Sequence, residues 1–352
     1  MLSRRDLLRT LAFGTSAAVV GSYWGRSAQA QALSQSAVKF TLSWLPASTD
    51  SAFLMALSKG YFQSQGLQVT YERGFGSADS VTKIAAGQFD LGEGDPYSMM
   101  EFNIKNPDRQ VRAVYFHYNN SPFGIYTLKR SGITTPQQLA GKKMGAPAGD
   151  GPRRLWPVYA RQVGIDPNSV QWITMEPRLR ETFLIQGQVD AISGFVTTSV
   201  PNLVRAGVSL DDINIMLYNQ AGLPIYGNAI LARAEFLQKH PDTVAAFLRA
   251  YAQSAREMIA NPAQALETTL ATGKATNQVM DEATEKLRLE IALKDLFVSP
   301  EVRELGLGAV DPQRFARSVG MVAAGFGLGS VPRPGDVFVN QFLPPLEERK
   351  IA

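Results

Sequence analysis

The sequence predicts an α/β protein built as two similar lobes around a cleft, and three observations carry that prediction. The tetrapeptide pattern Gly-Gln-x-Asp occurs twice, as Gly87-Gln88-Phe89-Asp90 and as Gly187-Gln188-Val189-Asp190. Each copy closes the same run of strand, helix, strand, helix and strand, so one supersecondary unit is used twice. After Tyr226 the alternation stops, and residues 241–260, 262–271, 277–293 and 312–322 read as helices that need a neighbouring surface to bury their apolar stripes.

Taken in order, the first unit has strands at 40–44 and 67–71, a helix at 52–62 ending on Gly60, and a second helix at 80–86 that leads into the apolar run 91–95. The second unit repeats this with strands at 143–146 and 170–174, helices at 154–164 and 180–185, and the run 191–195. Thr135 before Pro136 marks a helix start near the beginning of that unit. The chain is expected to cross between lobes near 125–127 and to return near 227–230. Residues 38–124 plus 228–352 then make lobe 1 and residues 125–227 make lobe 2, with the helical tail packed on lobe 1. Two extended crossings make a hinge.

The first thirty residues read as an export leader. Ser3-Arg4-Arg5-Asp6-Leu7-Leu8-Arg9 matches the twin-arginine pattern, residues 11–20 are apolar, and Ala28-Gln29-Ala30 is a small-x-small cleavage site. Residues 31–37 are expected to be a flexible mature terminus, and the destination is the periplasm. The leader carries +3 of the formal net +4, so the mature chain is left with about +1. No polybasic run survives to attract nucleic acid or an anionic membrane, and no later segment reaches the roughly twenty apolar residues of a membrane helix. The chain has no cysteine, which excludes disulfides, thiolate metal sites and a lipid-modified terminal cysteine. Neither cofactor nor metal is expected, and a monomer is.

The order Trp44-Leu45-Pro46, then 56–69 with Lys59-Gly60-Tyr61-Phe62 inside it, then Gly87-Gln88-Phe89-Asp90, then Leu139-Ala140-Gly141-Lys142-Lys143-Met144-Gly145 resembles the NMT1/THI5-like branch of periplasmic substrate-binding proteins. The likeness spans about residues 38–237. It implies a type II periplasmic-binding-protein fold, a small-molecule solute, and an ABC permease and ATPase as partners. Members of that branch take nitrate, sulfonates, taurine or thiamine-pyrimidine precursors.

Ligand contacts are expected from six loops where strands turn into helices, because backbone amides converge there: 44–51, 76–80, 94–97, 148–153, 176–178 and 194–197. Trp44 follows the first strand and is expected to stack on a planar ligand rather than line the core or hinge. Asp50 stands where pyrimidine-binding members of the branch carry histidine, which argues against a standard thiamine precursor; it can accept from an amine or merely cap a helix. Ser77 is either a ligand donor or a cap. Asp95 needs a partner if buried, and Tyr97 lies beside it. Arg153 begins a helix, a poor place for a cation, and serves either an acidic ligand or the surface. Phe195 is expected to face the cleft, in place of the Trp-Glu-Pro of anion-binding relatives. Tyr226 serves either ligand or hinge, and Tyr118 ends a strand near the cleft. These aromatic surfaces point to a planar aromatic carboxylate or nitrogen heterocycle, with an alkanesulfonate second.

An enzyme is the weaker reading. His117 lies inside an apolar strand and His240 precedes a helix-starting proline, both structural settings. The branch includes eukaryotic pyrimidine synthases that use a cysteine-rich motif with histidine, a pattern that a chain without cysteine cannot supply. A periplasmic sensor built on the same cleft is the remaining alternative.

Overall fold

The computed structural model describes residues 33–351; the leader read over residues 1–30 lies outside them. Ten strands form two five-stranded sheets. In lobe 1 these are β1 (Ala37–Thr41), β2 (Gln68–Glu72), β3 (Leu91–Gly94) and β4 (Val111–Phe116). Lobe 2 holds β5 (Phe123–Leu128), β6 (Lys143–Ala146), β7 (Gln171–Thr174), β8 (Ala191–Phe195) and β9 (Ile213–Leu217). The last strand, β10 (Ala229–Arg233), returns to lobe 1.

The two sheets have the same design. Lobe 1 runs β2-β1-β3-β10-β4 and lobe 2 runs β7-β6-β8-β5-β9. In each, three parallel strands are followed by one antiparallel strand that has just crossed from the other lobe: β10 pairs antiparallel with β3, and β5 with β8. The repeated Gly-Gln-x-Asp does equivalent work in both. Gly87 and Gly187 take φ of 77° and 70°, left-handed values that suit glycine. Asp90 then exchanges two hydrogen bonds with Lys39 at β1, its Oδ2 accepting from Lys39 N at 2.9 Å. Asp190 does the same with Lys143 at β6, at 2.8 Å. The motif thus pins the third strand of each unit to the first.

Apolar periodicity decides where the helices go. Helices Ser51–Ser58 and Pro241–Ala260 cover one face of the lobe 1 sheet, with Phe53 stacked 4.5 Å and Phe247 5.4 Å from Phe40 of β1. Tyr159 of helix Gly151–Gln162 stacks 4.2 Å from Tyr218 in lobe 2. Ser34 and Gln35, expected to be flexible, are instead tied to the start of Pro241–Ala260: Ser34 N donates to Asp242 Oδ2 at 2.6 Å, and Thr243 Oγ1 donates to Gln35 O at 2.6 Å.

The tail departs from the expectation that it packs on lobe 1 alone. Helix Glu282–Ala292 lies along Val196–Arg205 of lobe 2, and helix Pro312–Phe326 lies along Gly151–Gln162. The second approach is close because Gly325 has no side chain: a Cβ there would sit 2.7 Å from Val158 Cγ2. The crossings also lie outside the segments expected, because Ile125, Tyr126 and Thr127 already pair inside the lobe 2 sheet and Ala229 and Ile230 inside that of lobe 1.

The two crossings run side by side. Gly227 N donates to Tyr118 O at 3.1 Å and His117 N to Asn228 O at 2.8 Å. Arg314, from the tail helix, staples both: its guanidinium donates to Asn119 O at 2.9 Å on the outgoing segment and to Pro224 O and Ile225 O, each at 3.3 Å, on the return. Glu301 Oε2 accepts from the same group at 3.0 Å and balances its charge. Arg314→Met leaves these carbonyls and Glu301 without their donor, and is expected to cost about 3 kcal/mol of stability in a urea titration.

Candidate functional site

The strand ends that face one another across the lobes enclose a cavity of about 40 Å³. Trp44, Asp50, Ser77, Glu93 and Tyr118 line it from lobe 1, and Asp150, Gly151, Arg180, Phe195 and Thr197 from lobe 2, with Arg288 contributed by the tail. A second cavity of about 760 Å³ adjoins it and shares Trp44, Leu45, Ala47, Thr198 and Arg288 in its wall. The inner space holds about three waters, whereas an apolar cavity that accepts benzene measures about 150 Å³. A ring-sized solute therefore needs the lobes to part.

The lobes are closed on one another through main chain as well as side chains. Ala78 N of lobe 1 donates to Gly149 O of lobe 2 at 3.3 Å, and Arg154 of lobe 2 pairs with Glu101 of lobe 1 at 2.6 Å. Gly76 takes φ of 122°, and a Cβ on it would fall 2.1 Å from Gly149 O. Arg288 reaches from the tail to Asn202 Oδ1 of lobe 2 at 3.2 Å and faces Glu285 at 3.3 Å. Glu285 in turn accepts from Ser48 N at 2.7 Å.

The two halves of the inner cavity differ in electrostatics. On the lobe 2 side Asp150 is buried but served: Ser193 Oγ donates at 2.6 Å, Arg153 N at 3.1 Å, and Arg180 Nη1 lies 3.5 Å away. Arg180 is itself 1 % exposed, bonds Glu181 Oε1 at 2.8 and 3.0 Å, and places its guanidinium 5.2 Å from the Trp44 ring across the cleft. On the lobe 1 side Asp50 and Glu93 stand together. Burial and each other's charge raise both carboxyls, Asp50 to about 7. Ala47 N serves Asp50 Oδ2 at 2.9 Å. Among the described residues no donor other than a protonated Asp50 serves Glu93 Oε1. Beneath them His117 is held neutral, its pKa lowered by burial to about 3, with Nε2 3.1 Å from Thr49 O and Nδ1 on the Tyr251 hydroxyl.

Of the residues singled out in the sequence, Trp44, Asp50, Ser77, Tyr118 and Phe195 line the inner cavity. Asp95 sits just behind it and caps helix Pro96–Lys105, accepting from Tyr97 N at 3.0 Å and Ser98 N at 2.7 Å. Three are elsewhere. Arg153 turns outward to Ala146 O and Thr174 Oγ1, with its guanidinium 4.9 Å from the Trp172 ring, because a cation at a helix start gains more from carbonyls at its side. The Tyr97 hydroxyl is buried against Ser318 Oγ at 2.8 Å and accepts from Tyr226 N at 2.8 Å. Tyr226 belongs to the hinge, donating to Glu301 Oε1 at 2.7 Å beneath Arg314. Glu93, Arg180 and Arg288 were missed. Glu93 had a signal in the sequence, a lone charge inside the apolar run 91–95. Arg288 comes from the tail, beyond the reach of the resemblance.

The family model described as NMT1/THI5 like matches residues 49–265. The chain belongs to that family. Among curated relatives, the 4-amino-5-hydroxymethyl-2-methylpyrimidine phosphate synthase of Schizosaccharomyces pombe is 24 % identical over 66 % of this chain and 68 % of its own. The formylaminopyrimidine-binding protein of Halalkalibacterium halodurans is 23 % identical over 74 % of this chain and 77 % of its own. Among solved structures, the alkanesulfonate-binding protein SsuA of Xanthomonas axonopodis pv. citri superposes with a TM-score of 0.67 at 14 % identity, covering 87 % of this chain and 99 % of its own. The nitrate-binding protein NrtA of Synechocystis gives 0.62 at 12 % identity, with 88 % of each chain covered. The two-lobed periplasmic-binding-protein fold expected from the sequence is the fold observed.

The raised carboxyl of Asp50 makes stability depend on pH. Between about pH 4 and 7 the folded state holds a proton that the unfolded state has lost, so this group's contribution to stability falls as pH rises through that window. Asp50→Asn removes it. In thermal melts without added solute the variant is expected to gain on the wild type by about 2 kcal/mol between pH 4 and pH 7.

Proposed function

We propose that this family member is the periplasmic solute receptor of an ABC-type importer and that its solute is a small planar nitrogen heterocycle carrying N–H donors. The observation behind this reading is the Asp50–Glu93 pair in the cavity wall, two buried carboxyls with no cation of the protein to neutralise them. A ring with an amino group or a protonated nitrogen supplies the missing donors and lets the pair ionise. An aromatic carboxylate, level with the heterocycle on sequence grounds, is disfavoured because it would meet this pair with like charge. Pyrimidine-directed names among the relatives agree with the heterocycle.

The cleft supports capture and release. Trp44 and Phe195 face the cavity from opposite lobes, so a planar ring is held between apolar surfaces while the carboxyls orient its edge. Closure stacks Arg180 over Trp44 and removes the site from water. Catalysis has no support in the chain's chemistry, since it lacks the cysteines of the synthase branch. Among the described residues no helix is long and apolar enough to cross a membrane. Together with the leader read in residues 1–30, this places the receptor in the periplasm, delivering solute to a permease and ATPase.

Titration calorimetry across aminopyrimidines, aromatic carboxylates, short alkanesulfonates and nitrate tests the reading. Aminopyrimidines are expected to bind at micromolar strength or better and to be released unchanged. Binding of nitrate or short sulfonates with no response to heterocycles would sink it. Trp44→Ala is expected to lose about 2–4 kcal/mol of binding while leaving the melting temperature nearly unchanged; unchanged binding with lowered stability would assign Trp44 to the core.

A further inference from the structure

The outer cavity has chemistry opposite to that of the inner one. Four arginines line it: Arg73 from lobe 1, Arg178 and Arg205 from lobe 2, and Arg288 from the tail. Two of these have acidic company. Arg288 faces Glu285 at 3.3 Å, and Arg205 acts on Asp281. Arg73 and Arg178 form no ion pair among the described residues. Arg73 spends its Nε and Nη2 on the carbonyl of Gly74, at 3.0 and 2.9 Å, and lies 4.1 Å over the Phe75 ring.

These two arginines belong to opposite lobes and feel each other in the closed arrangement: burial first, and then the charge of Arg178, lower the pKa of Arg73. The acidic groups that act on Arg73 are Glu176 and Asp79. Asp79 is held by Lys83 at 2.7 Å, and Glu181 in the same cavity wall is held by Arg180 at 2.8 Å, which leaves Glu176 against two guanidinium groups. Like charges drawn together by a closing hinge resist closure unless an anion lies between them. The cavity they line opens into the inner one along Trp44, Leu45 and Ala47, and Tyr71 in its wall already feels the charge of Asp50.

We infer that the solute has two poles: an N–H-donating ring held at Asp50 and Glu93, and a covalently attached oxyanion, of phosphate or sulfonate type, that bridges Arg73 and Arg178. This inference rests on the receptor reading above. The bridge makes closure selective, because a ring without the anion leaves the two guanidinium groups repelling one another across the cleft. The geometry suits Arg at both positions, since a guanidinium fork presents paired donors to a tetrahedral oxyanion and Lys does not.

The test compares 4-amino-5-hydroxymethyl-2-methylpyrimidine with its phosphate monoester on the full chain by titration calorimetry. The ester is expected to bind at least about tenfold more tightly than the alcohol at low salt, and this advantage should shrink as salt is raised. In the double variant R73Q/R178Q the ratio of the two affinities is expected to collapse toward unity. Equal binding of ester and alcohol to the wild type would overturn the inference while leaving the receptor reading intact. Inorganic phosphate that lifts the alcohol to the affinity of the ester would overturn the covalent link and assign the arginines to a free anion. A double variant that weakens both probes by the same factor would give Arg73 and Arg178 a structural role and also overturn it. If neither probe binds, the aminopyrimidine reading falls and this inference falls with it.

Discussion

Charge cannot be buried between two closing lobes without a partner, and that constraint organises the cleft. Lobe 2 meets it internally, since Asp150 has Ser193, the Arg153 amide and the Arg180 guanidinium around it. Lobe 1 meets it only in part: Asp50 and Glu93 have backbone amides and each other, and without a donor from outside they retain a proton. An unmet requirement of this kind weakens the empty closed state relative to the filled one. The desolvation cost that makes buried carboxylates a liability elsewhere here makes occupancy matter.

The fold was readable because the sequence states it twice. A β-α-β-α-β unit ending in Gly-Gln-x-Asp leaves little freedom once the glycine turns the chain and the aspartate bonds back to the first strand, as Asp90 does with Lys39 and Asp190 with Lys143. The crossings were harder to place. β5 and β10 are apolar strands at the edge of each repeat, and nothing local says which sheet an apolar strand will join; partner strands decide it, at long range. The tail was hardest, because helices with apolar stripes pack on whatever apolar surface is available, and a small residue such as Gly325 settles the choice only once Val158 is known to lie opposite.

The site was legible in its loops and less so in its charges. Strand-to-helix turns face the cleft by topology, so Trp44, Asp50, Ser77 and Phe195 arrive there together. The choice of arginine depended on side-chain direction instead. Arg153 and Arg180 both open helices on lobe 2, yet the first finds carbonyl and hydroxyl acceptors outside the cleft and the second finds Glu181 and Asp150 within it. Tyr97 and Tyr226 show the same limit. Each lies in or beside a loop expected to face the cleft, and each hydroxyl turns away from it to satisfy a bond in the hinge or the core.

The contact of Gly76 with Gly149 also has a mechanical meaning. Where two lobes meet backbone to backbone, with an amide of one on the carbonyl of the other, the end point of the hinge is set by atoms that no side-chain substitution removes. The closed outline is then a property of the main chain, while the character of the cavity is a property of side chains such as Asp50, Glu93 and Phe195. Drift in the second can retune what is captured without redrawing the shape that any docking partner has to recognise.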